Sequence, residues 1–118
     1  MKIGSEGLAQ VDLTIPQGTT LSFTVTHTDE QGQAVDHSGS TAHMAIKDKR
    51  SDEIVAKLDD CCTCTSEGIY VLIPATSTAE MPIGTYPWDL MVETSALKVI
   101  RMCQGTATII DTYAMDGE

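Results

Sequence analysis

Hydrophobic and polar side chains alternate with a two-residue period over much of the chain, and the longest such stretch runs through Tyr86, Trp88, Leu90 and Val92. Thr85, Asp89, Met91 and Glu93 occupy the opposite phase, which is the signature of a strand with one face in a core. Trp88 is the only tryptophan, and an indole buries a large apolar area, so this segment is expected to be central. The same alternation places Val11, Leu13 and Ile15 against Asp12 and Thr14 in a first strand that Pro16-Gln17-Gly18 ends. Leu21, Phe23 and Val25 then oppose Thr20, Ser22, Thr24, Thr26 and Thr28, giving a threonine-rich outer face. Ala42, Met44 and Ile46 alternate with His43 and Lys47, and Ile54, Ala56 and Leu58 return beyond the charged tip 47–53. A short helix starting near Ser51 is the weaker alternative there, because segments beside a hairpin signal usually pair locally.

The run Ile69-Tyr70-Val71-Leu72-Ile73 is apolar on both phases and predicts a strand buried on both faces. In the last strand, from Lys98 to about Thr112, Ile100 and Met102 share one phase while Ala107 and Ile109 share the other. A β-bulge at Gly105 would reconcile them. Turns are expected at 29–33, 36–39 and 94–96 from their Asp, Gly and Ser content. Ser77-x-x-Glu80 has the form of a capping box, and Pro82 limits it to about one helical turn.

Gly84-Thr85-Tyr86 ahead of the central strand resembles the approach to a tyrosine corner, in which a tyrosine hydroxyl bonds back to the preceding backbone. Gly84, Tyr86, Trp88 and Gly105 are therefore the expected structural residues. The pattern predicts an all-β fold: an immunoglobulin-like antiparallel β-sandwich of about seven strands with one short helical turn. A small antiparallel barrel is the runner-up. With 118 residues and no linker, one domain over 1–118 is expected, its ends 1–7 and 113–118 flexible.

Seven Lys and Arg against seventeen Asp and Glu give a net charge of −10. Such a field repels phosphate backbones and anionic lipid surfaces, so neither nucleic acid nor membrane is expected as a partner. No apolar run matches a signal peptide or membrane span, which points to a cytoplasm and to reduced thiols.

Cys61, Cys62, Cys64 and the distant Cys103 are the candidates for a four-thiolate zinc site, yet their spacing lacks the Cys-x-x-Cys turn that brings two sulfurs inward. The stronger expectation is a loop with partly buried thiols and Cys103 as a small core residue. His27, His37 and His43 stand at no motif spacing to a carboxylate or thiol and read as solvated. Asp29, Glu30, Asp59, Asp60, Asp111 and Asp116 lack a calcium-loop arrangement. Asp89, beside Trp88, would need a hydrogen-bonded mate if a partner covered it. Nucleophile-elbow, zincin and phosphate-loop motifs are all missing, so no catalytic residue and no cofactor is expected and the chain is read as non-enzymatic.

Four segments, in order, carry a resemblance: Leu13-Thr14-Ile15-Pro16-Gln17-Gly18-Thr19-Thr20; Gly32-Gln33-Ala34-Val35-Asp36-His37-Ser38-Gly39-Ser40-Thr41-Ala42; Ile73-Pro74-Ala75-Thr76 through Gly84-Thr85-Tyr86-Pro87-Trp88-Asp89-Leu90; and Gly105-Thr106-Ala107-Thr108-Ile109. Together they resemble a family of small phage and prophage proteins with immunoglobulin-like folds, similar to the N-terminal domain of upper baseplate proteins and to tail or head-tail accessory proteins. The resemblance implies a structural or assembly role in a particle, other virion proteins and further copies of the chain as partners, and residence in the bacterial cytoplasm and then the virion. It supplies no catalytic residue and does not include the Cys61–Cys64 segment. The rival class is a carbohydrate-type ligand-binding sandwich, which normally displays several exposed aromatics, whereas aromatic residues are 4% of this chain.

Overall fold

The computed structural model describes residues 2–3 and 9–111. Its strands are β1 (Lys2–Ile3), β2 (Ala9–Gln10), β3 (Leu13–Pro16), β4 (Leu21–His27), β5 (Thr41–Asp48), β6 (Glu53–Lys57), β7 (Cys62–Thr65), β8 (Gly68–Ile73), β9 (Gly84–Glu93) and β10 (Val99–Ile110). A 3-10 turn spans Asp59–Cys61, and a single helical turn, α1, spans Ala75–Thr78. One sheet has the order β1-β4-β8-β7; the other runs β2-β10-β9-β5-β6, with β3 also on β10. The expected all-β sandwich is the observed architecture, and β9 lies in the middle of the larger sheet.

The core forms where the two inner faces meet. Val25, Ile69, Val71 and Ile73 from the smaller sheet face Met44, Ile46, Trp88, Leu90, Val92 and Ile109 from the larger one. Trp88 is 3% exposed, its Nε1 donates to the Val11 carbonyl at 2.9 Å, and its ring meets the edge of Phe23 at a centroid distance of 6.3 Å. An indole can be buried this deeply because its one polar atom has a partner.

At the entry to β9, Tyr86 Oη donates to the Ile83 carbonyl at 3.2 Å. Gly84 precedes it with φ +153°, and a Cβ there would meet the tyrosine hydroxyl at 2.8 Å. Only a residue without a side chain lets the ring fold back over its own turn.

Several expectations are corrected. Among the described residues there are ten strand segments where about seven were expected, because the N-terminal part is split into three short pieces and Cys62–Thr65 adds a further strand; β2 and β3 run parallel to β10, and β1 runs parallel to β4. Lys2–Ile3, expected to be loose, is a strand, while 1, 4–8 and 112–118 lie outside the described residues. The last strand shifts register between Arg101 and Cys103, not at Gly105. Met102 and Cys103 are therefore both buried in succession. Gly105 serves another purpose: a Cβ on it would collide with the carbonyl oxygen of Val11, so the glycine lets the edge segment between β2 and β3 cross close to β10.

A second register shift, between Ile46 and Lys47, pairs Ile54 with Lys47 and turns Ile54 outward, 57% exposed. β8 is buried on one face only, since Tyr70 and Leu72 point to the outer side of the smaller sheet. Cys62–Thr65, expected as a loop, is an edge strand paired to β8. α1 is capped by the position of Pro74 without a side-chain bond. Ser77 therefore lies inside it and not at its cap. The working hydroxyl is that of Thr78, buried and donating to the Thr19 carbonyl at 2.7 Å.

Candidate interaction face

The larger sheet turns its wet side away from the core, and alternation decides which residues it displays. From β5 come His43, Ala45 and Lys47; from β9 come Pro87, Asp89, Met91 and Glu93; from β10 come Arg101, Gln104 and Thr106. The register shift between Arg101 and Cys103 lets Arg101 share this side with Gln104, to which its Nη1 donates at 3.4 Å. Arg101 Nη2 also stands 3.8 Å from Asp89 Oδ2, an ion pair on a partly exposed surface. Ile54, rotated outward by its own register shift, closes the β6 side. The result is a hollow of about 500 Å³ between Ala45, Lys47, Ile54, Pro87, Asp89 and Arg101. Its apolar floor and paired charges at the rim have the composition of a modest protein contact.

Below the hollow, on the same side, His43 Nδ1 lies 2.8 Å from Asp59 Oδ2, and its Nε2 is 3.8 Å from Glu93 Oε1. Asp59 also accepts the Met44 N–H at 3.0 Å and pairs with Lys57 at 3.1 Å. Burial alone would raise the Asp59 carboxyl, but His43, Lys57 and the Met44 N–H together hold it below the ordinary carboxylate value. This network ties β5, β6 and the 3-10 turn together on a half-exposed surface.

The cysteines do not come together as a metal centre. Among the described residues no three His, Cys, Asp or Glu side chains are grouped to hold an ion. Burial, with the neighbouring Cys61, Asp59, Cys64 and Cys103, pushes the Cys62 thiol up to about 12, and burial with Asp89 does the same to Cys103. Both remain thiols at neutral pH, and Cys62 Sγ is 3.5 Å from the Leu58 carbonyl. Such groups behave as small hydrophobes and are poor nucleophiles.

No protein-family model and no curated protein matches the chain. Among solved structures, a family 123 glycoside hydrolase from Clostridium perfringens, described for glycolipid glycan hydrolysis, is similar over 87% of this chain, with a TM-score of 0.35 and 11% identity. The chain spans 23% of that enzyme's length, and none of its activity is carried over here.

Two of the three histidines overturn the expectation that they are solvated. His27 is 7% exposed and His37 1% exposed, and His27 Nδ1 lies 3.1 Å from His37 Nε2. The ring planes are 16° apart and the centroids 5.3 Å apart, which is the nitrogen separation plus roughly one ring radius on each side. The contact is thus an in-line N–H···N hydrogen bond between nearly coplanar rings, not a face-to-face stack. His27 ends β4 on its inward phase, so period alone placed it inside. The partner sits ten residues on, in a loop, where no periodicity applies.

Proposed function

We propose that this chain is a non-enzymatic structural or assembly module of a phage or prophage particle, of the tail, baseplate or head-tail kind, that works through contacts with other virion proteins. One observation carries the reading: the wet side of the β10-β9-β5-β6 sheet is hollowed, mixes apolar residues with paired charge, and ends at β6, an edge strand with a neighbour on one side only. Edge strands and flat sheet faces are where sandwich modules meet their neighbours. Further support comes from the turn-forming glycines of the phage-like segments. Gly18, Gly32 and Gly39 all hold positive φ in tight turns between strands.

A sugar-binding reading has less behind it. Among the described residues Trp88 is the one aromatic lining the hollow, and at 3% exposure it offers a saccharide no ring to stack on.

The test is capture of proteins encoded beside this one, together with solution mass by light scattering. The expected result is a specific complex or a symmetric oligomer that Ala45→Arg abolishes while the fold is kept. A monomer that captures none of those proteins overturns the proposal.

A further inference from the structure

Two imidazoles buried against each other help to hold one loop on the sandwich. The segment 29–40 between β4 and β5 is mostly exposed: Ala34, Asp36, Ser38 and Gly39 face water and Val35 is half-buried. His37 is its one fully buried side chain. Three backbone bonds fix the segment around that residue: Val35 N–H to the His27 carbonyl at 2.7 Å, His37 N–H to the Thr65 carbonyl at 3.0 Å, and Ser40 N–H to the His37 carbonyl at 3.0 Å. The plug that seats the loop is therefore an ionisable ring whose hydrogen bond is made to another ionisable ring.

We propose that the His27–His37 contact is an acid-operated latch: it seats the 29–40 segment while a single proton lies between the two rings and releases that segment when both rings are protonated. The proton count gives the reason. In the neutral pair one ring donates N–H and the other accepts with a lone pair. A first added proton on the donor's outer nitrogen leaves that bond intact. A second, on the acceptor's inner nitrogen, sets N–H against N–H across 3.1 Å, with two like charges and no bond.

Burial, and for His37 also the charge of His27, pushes both rings below the ordinary imidazole value, partly offset by Asp29 beside His27 and Asp36 beside His37. On the other elements in contact, the β7–β8 turn carries exposed Glu67, and the β1 position registered to His27 is the uncharged Ile3. The sign follows. The seated state binds fewer protons than the released one, so seating is favoured above the ordinary imidazole range near pH ~6.5 and weakens as pH falls below it. Each proton taken up on release shifts the equilibrium by up to about tenfold per pH unit.

The test is amide hydrogen exchange on the whole chain between pH 7.5 and 5, corrected for the intrinsic pH dependence of exchange. Protection at Val35 and His37 should fall at least about tenfold by pH 5, while Leu90 in β9 stays unchanged. His27→Gln and His37→Gln, which can hydrogen-bond but cannot charge, should remove that dependence, and His43→Gln should leave it in place. Ring 15N shifts of the unmodified protein read the same event without any variant, with His43 as an internal reference. Flat protection at Val35 and His37 across this range, or both rings titrating as solvated imidazoles with the loop still seated, overturns the latch.

Discussion

The two sides of β9 use the same strand for opposite ends. On its dry side Trp88, Leu90 and Val92 are 3%, 0% and 0% exposed and have no freedom to change. On its wet side Asp89, Met91 and Glu93 sit half-exposed, Asp89 3.8 Å from Arg101 and Glu93 3.8 Å from His43. Dispersion and hydration make the first side costly to alter, whereas solvent screens most of what the second side does for stability. The wet side therefore contributes little to folding, and its residues can be exchanged at small cost in stability.

Substitutions should separate the two sides, and the largest effect belongs to the dry one. Trp88→Ala removes the indole, its bond to Val11 and its contact with Phe23, and should lower stability by about 3–5 kcal/mol in urea unfolding; a loss under about 1 kcal/mol would break the contrast. Gly105→Ala drives a methyl into the Val11 carbonyl and should cost about 2–3 kcal/mol, with loss of protection along β2 and β3.

Asp59→Asn keeps the shape of the wet-side network but not its charge, and should cost about 1 kcal/mol at neutral pH. Because the Asp59 carboxyl is held below its ordinary value, the parent's advantage should be fully present above the ordinary carboxyl range near pH ~3.9 and vanish as pH falls through and below it. Lys47→Glu at the rim of the hollow should change stability by less than about 0.5 kcal/mol yet weaken capture of a protein partner several-fold, which sharpens the contrast most.

Much of the dry side was legible in the chain. Period-two alternation identified β4, β5 and β9 and chose their buried faces, because a half-buried strand leaves that imprint. Three local errors share one cause. Gly105 read as a bulge, Ile54 as inward and Leu72 as buried, since each depends on what lies across the sheet: a crossing carbonyl, a residue of β6 skipped in its pairing with β5, or open water. A glycine that relieves a collision and a glycine that permits a bulge look alike in one dimension. The wet side was less legible. Asp89 stood out, but its pairing with Arg101 follows from the register shift before Cys103, and His43 could not announce Asp59 from sixteen residues away.

The chain by itself determined the class of fold, the central strand and the buried tryptophan, because alternating hydrophobicity and turn residues act locally and through desolvation, and both are written in residue order. Only the tertiary structure decided register, the hollow beside Arg101 and the meeting of His27 with His37. These are contacts between segments far apart in sequence, and their energies depend on the distance and solvent exposure that packing alone fixes.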